Sequence, residues 1–134
     1  MKSIFMGLVC VMVLSFACNN PSSKITGEYS YRENGLPTYV VSETANGYSL
    51  TFKTTKQEWS EPKDFVPVDQ ETIVKIFGQK SKSVNNGFFW ESVRGNKTYI
   101  FSVDTDSDSD LFSTGFIYRK EFNRTNITEK LYKL

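Results

Sequence analysis

The chain has 134 residues, with 16 Lys or Arg against 15 Asp or Glu, and no histidine. So balanced a charge provides no basic excess for a nucleic-acid partner or for an anionic lipid surface. Without histidine, Ser-His-Asp and Cys-His nucleophiles and His-ligated zinc or haem are excluded, and the expectation is a chain that is not an enzyme and carries no cofactor.

Lys2 precedes an apolar run from Ile4 to Ala17. That run is shorter than the roughly 20 residues a spanning helix needs, and it matches the apolar region of a secretory signal. It ends at Ser15-Phe16-Ala17-Cys18, and Asn19-Asn20-Pro21-Ser22-Ser23 reads as a flexible spacer. Small residues at Ser15 and Ala17 also suit ordinary signal cleavage. In these residues, from Met1 to about Ser23, the chain resembles bacterial lipoproteins, with a relaxed form of their processing box. The resemblance implies a signal peptide over residues 1–17, lipidation of Cys18 and a tether over 18–24. Cys18 would then carry a diacylglycerol on sulfur and an acyl chain on its amine. Each buried methylene contributes about 0.8 kcal/mol, so more than one chain anchors stably. The implied location is the cell envelope, at the outer membrane and facing the periplasm. Cys10 lies in the leader, so residues 25–134 form one domain that has no disulfide and depends on its core.

Ile25 to Arg32 alternates, with Ile25, Gly27, Tyr29 and Tyr31 on one face, as a half-buried strand does. Thr38–Thr44 and Tyr48–Thr54 flank Ala45-Asn46-Gly47, a short hairpin signal. With Asn46 and Gly47 at its centre, Val41 opposes Phe52 and Tyr39 opposes Thr54, and Tyr39, Val41, Tyr48, Leu50 and Phe52 share a face. Residues 58–67, with two prolines, read as a loop. Asp69 is placed to cap a helix over Gln70–Phe77 that Gly78 stops, with Ile73, Ile76 and Phe77 as its packing stripe. Residues 79–86 read as a polar loop. Gly87–Val93 and Lys97–Val103 flank Gly95-Asn96, a second hairpin pair. A two-residue turn there sets Trp90 opposite Phe101 and Phe88 opposite Val103, with Phe89 and Ile100 on the other face. Apolar residues on both faces suggest a hairpin covered on both sides, with the helix as one cover. Phe116–Phe122 and Ile127–Leu134 are the last two strands.

The expected fold is mainly β: an antiparallel barrel or strongly bent sheet of about seven strands with one short helix. Gly27-x-Tyr29 resembles the Gly-x-Trp start of lipocalin-like barrels, which implies a shape and nothing more.

Asp104-Thr105-Asp106-Ser107-Asp108-Ser109-Asp110 has the alternating carboxylates that open a calcium loop, but Ser109 stands where an EF-hand has its glycine and Gly115 where it has its glutamate. The expectation is a solvated acidic loop and no metal. Tyr29, Tyr31, Tyr48, Phe52, Trp90, Tyr99 and Phe101 read as core, with a ligand-lined barrel mouth as the alternative. Glu43 falls on an apolar face near a turn. Trp59, Asp106, Asp108 and the 79–86 loop are the candidate contacts for a protein partner. The functional expectation is a lipid-anchored, non-catalytic module that binds another envelope or secreted protein, in the manner of an inhibitor or immunity protein. The alternative is a carrier of a lipid or another hydrophobic small molecule.

Overall fold

A computed structural model describes residues 25–134; the leader and Cys18 lie outside them. Within the described residues the chain runs as β1 (Gly27–Ser30), β2 (Tyr39–Thr44), β3 (Gly47–Phe52), β4 (Lys63–Pro67), helix α1 (Gln70–Phe77), a 3-10 segment (Gly78–Ser83), β5 (Val84–Glu91), β6 (Lys97–Val103), β7 (Phe116–Phe122) and β8 (Thr125–Lys133). Each strand pairs antiparallel with the next, and β8 returns to β1, so the sheet is a closed barrel. The closing seam is short: Tyr29 pairs with Lys133 and Ser30 with Tyr132, and the Leu134 amide donates to the Glu28 carbonyl at 2.8 Å.

Eight strands enclose a space that side chains fill. Tyr29, Leu50, Ile100 and Leu131 are completely buried inside it, with Ile25, Tyr39, Val41, Phe65, Phe88 and Tyr118 around them. A second cluster lies outside the barrel wall. Tyr99, Phe101 and Ile117 point outward from β6 and β7, and Ile73 of α1 covers them with Phe112. The Phe77 ring meets Phe101 edge-on, with centroids 4.9 Å apart. The helix has the expected bounds and stripe, and the Asp69 carboxylate accepts the Thr72 amide at 2.8 Å as its cap.

The first hairpin closes at Thr44 opposite Gly47, so Ala45 and Asn46 occupy the turn and Tyr39 opposes Phe52. Relative to a centre at Asn46-Gly47 this register moves by two residues. An even slip keeps every side chain on its face, and Tyr39, Val41 and Leu50 do face inward.

The second hairpin moves by three, and an odd slip exchanges faces. Glu91 opposes Lys97, and the Ser92 amide donates to the Asn96 carbonyl across a three-residue corner, Val93-Arg94-Gly95. Gly95 takes the left-handed conformation (φ 85°) that ends such a corner. Phe88 therefore opposes Ile100 inside the barrel, while Phe101, the cross-strand partner of Gly87, faces out. The hairpin is covered on both sides as expected, but Ile100 and Phe101 exchange roles.

Two segments read as loops are structured. Lys63–Pro67 pairs with β3 and β5, which raises the strand count to eight. Its proline ends the strand, where no further amide donor is required, and Phe65 is its inward anchor. Residues 78–83 form the 3-10 segment and Val84–Asn86 begin β5 across a bulge, burying Ser81 and Val84.

Candidate functional site

Strand direction sorts the connections. The 31–38, 53–62, 92–96 and 123–124 connections gather at one end, while the 45–46 turn, α1 and the 104–115 loop lie at the other. The first end is open. A cleft of about 460 Å3 enters it, walled by Tyr31, Tyr39, Phe52 and Trp90, with Thr38 and Lys120 on its lining.

Its floor is a cluster of tyrosines. The hydroxyls of Tyr31 and Tyr39 share a hydrogen bond of 2.6 Å, and the Tyr31 ring packs against Tyr39 and Tyr118 at 5.6 and 4.8 Å between centroids. Tyr118 donates to Glu129 Oε2 at 2.9 Å. Burial pushes the hydroxyls of Tyr39 and Tyr118 well above the usual tyrosine value, so the floor is a set of neutral hydrogen-bonding groups. The Tyr31 hydroxyl is also pushed up by burial, which its bond to Tyr39 partly offsets.

Lys120 is the unusual member. β7 alternates Phe116, Tyr118, Lys120 and Phe122, and Phe116 and Tyr118 belong to the interior cluster. The alternation sends the lysine inward at the mouth, between its cross-strand neighbours Thr98 and Ile127. Its ammonium lies 6.0 Å from the Tyr39 ring centroid, a cation–π distance. Burial holds its pKa below the usual lysine value. Among the described residues no carboxylate lies within ion-pair distance of it.

The rim adds Lys53; Lys97 also borders the cleft, but its ammonium lies 5.6 Å from the Phe89 ring on the outer wall. Lys53 lies over the Trp59 ring at 4.6 Å and donates to the Gln57 carbonyl at 3.3 Å. Glu121 also borders the cleft, but its carboxylate is taken from outside: Arg119 Nε donates to it at 2.8 Å and the Tyr99 hydroxyl at 3.1 Å.

The sequence-derived candidates are scattered. Trp59 stands at the open end, 42 % exposed. Asp106 and Asp108 lie on the 104–115 loop at the opposite end, as do residues 79–86, so one contact patch does not hold them all. The Asp106 carboxylate accepts the Asp108 amide at 3.0 Å and meets Lys80 at 3.7 Å, while Asp110 meets Lys130 at 2.7 Å. Among the described residues no group of His, Cys, Asp and Glu is gathered to hold a metal ion. Glu43 is exposed, opposite Tyr48. Of the aromatic residues, Tyr31, Phe52 and Trp90 do line the mouth. Tyr29 is deep core, Tyr48 lies at the far end with Phe65 and Phe88, and Tyr99 and Phe101 lie outside under α1. Lys120 is not among the sequence-derived candidates, although a lysine on the apolar face of an alternating strand is a legible signal.

Compared with known proteins, the chain matches no family model, no curated protein and no solved structure.

Proposed function

We propose that the chain is a non-catalytic binding barrel, held in the cell envelope by lipid on Cys18, that takes a small ligand in its open end. The observation that carries this reading is the cleft: about 460 Å3, walled by aromatic rings, with a few polar groups converging on it. Small-molecule sites have this size and make-up. The ligand would rest in the mouth and not deep in the barrel, because Tyr29, Leu50, Ile100 and Leu131 already fill the interior.

The test is native mass spectrometry of the full chain, gently extracted in detergent. A stoichiometric small molecule, lost when Trp90→Ala opens the cleft wall, supports the reading. A stoichiometric protein partner with an empty cleft counts against it.

One observation favours a protein partner as the second reading. Leu36 (87 % exposed), Trp59 (42 %) and Tyr31 (38 %) stand together around a groove beside the mouth. An anchor such as Trp59 suits an inhibitor-like module. Alanine at Trp59 that leaves capture of such a partner unchanged would remove that reading.

A further inference from the structure

We propose that the ligand of the cleft is a compact monoanion, a carboxylate carried on a ring or short apolar body, with the carboxylate received by Lys120 and the body lying against Phe52 and Trp90. This rests on the cleft reading above and adds the chemical class.

Charge is the first argument. A half-buried ammonium turned inward among aromatic rings has lost part of its water and gained no carboxylate among the described residues. An isolated desolvated charge is costly, and a bound counter-ion offsets that cost. One such cation balances one negative charge. Of the other charges near the mouth, Lys53 has no ion pair among the described residues, the Lys97 ammonium lies on the outer wall over Phe89 at 5.6 Å, and the Glu121 and Glu129 carboxylates are taken up by Arg119 and by the Tyr118 hydroxyl. The unpaired charge at Lys120 is thus the one turned into the cleft, and it favours an anion there.

Hydrogen bonding is the second. In the 2.6 Å contact between Tyr31 and Tyr39 one hydroxyl donates, so the other keeps a proton to give away. An ammonium and a neutral phenol supply donors for both oxygens of a carboxylate. Size is the third. The floor of Tyr31, Tyr39 and Tyr118 and the filled interior beneath it stop a long chain from threading the barrel. The tilted Phe52–Trp90 pair, 5.2 Å between centroids, offers an apolar wall for a short body.

The experiment uses the full chain in detergent with Trp59→Phe, which leaves Trp90 as the single tryptophan reporter of the cleft. Its fluorescence is titrated with 3-phenylpropionate, 3-phenylpropanol and 3-phenylpropylammonium, which share a body and differ in charge. The expected result is tightest binding of the acid, about tenfold or more over the alcohol. Lys120→Met should abolish the preference of the acid over the alcohol, while Lys120→Arg should keep it. Acid and alcohol binding equally, or the ammonium binding best, would overturn the anion assignment and leave the cleft reading standing. No response of Trp90 to any of the three would overturn both. The comparison of the three probes with Lys120 intact depends only on the Trp59→Phe chain folding, which its β-sheet circular dichroism checks.

Discussion

The Phe101 ring lies directly over Gly87, its cross-strand partner, on the outer wall of the barrel. A β-carbon on Gly87 would sit 2.3 Å from Phe101 Cδ1 and 2.6 Å from Cε1. The missing side chain is what lets Phe101 lie flat enough for Phe77 of α1 to pack on it edge-on. Gly87→Ala should therefore destabilise the fold by about 1–3 kcal/mol, the usual range for overpacking. In a Phe101→Ala background, itself about 3–5 kcal/mol less stable, the same change should cost much less. Urea midpoints of the four proteins in this cycle check the coupling; additive costs would mean the two residues do not compete for space.

Ile73 is the buried anchor of α1 against the outer cluster. Ile73→Ala should lower stability by about 2–5 kcal/mol. The interior cluster on the other side of the wall does not include it. Binding at the mouth should accordingly survive in the folded variant, with Trp90 fluorescence as the readout.

Alkali should unfold the barrel. Burial holds the hydroxyls of Tyr29, Tyr39 and Tyr118 above their ordinary value of 10.0, and pushes that of Tyr99 up to about 12 with help from the nearby Glu121 carboxylate. Unfolded phenols lose their protons near pH 10 while the folded ones keep theirs, so the unfolded state binds fewer protons and stability falls as pH rises. The contribution is fully present below pH 10 and is lost as pH climbs through the raised values. Tyrosinate absorbance and loss of β-sheet circular dichroism should rise together above about pH 10. Tyrosinate absorbance exceeding that of three of the seven tyrosines before the structure melts would contradict the burial of these four hydroxyls.

Lys120 acts with the opposite sign. Burial lowers its pKa from 10.5, so between the lowered value and 10.5 the unfolded chain binds the extra proton and stability gains with pH. Lys120→Met should raise the urea midpoint at neutral pH, because a desolvated cation gives way to an apolar side chain of similar length. It should also flatten the rise below pH 10. An unchanged or lower midpoint would show that the ammonium is well solvated.

Calcium should leave the melting temperature unchanged. Asp106 and Asp110 face Lys80 and Lys130, and the carboxylates of the loop are not gathered around one point. Hard cations need several oxygens converging at once. A calcium-induced rise in melting temperature that disappears in Asp106→Asn with Asp108→Asn would reverse this conclusion.

The β character, the helix with its cap and stripe, and the inward face of β2 and β3 were legible in the order of residues. These rest on local rules: a period of two, a carboxylate three residues before an amide, a glycine stop. The rest depended on how the elements pack. The corner at Val93-Arg94-Gly95 differs from a two-residue turn by an odd number of residues, and only the competition between interior and outer wall settles that Ile100 faces in and Phe101 out. The short strand Lys63–Pro67 exists because β3 and β5 lie on either side of it, since its own residues carry little pattern. Lys120 stood in plain alternation with Phe116, Tyr118 and Phe122, but a lysine on an apolar face becomes a site only when closure of the barrel surrounds it with Tyr31, Tyr39 and Trp90. Those residues come from separate strands and connections, and no local pattern in the chain carries their convergence.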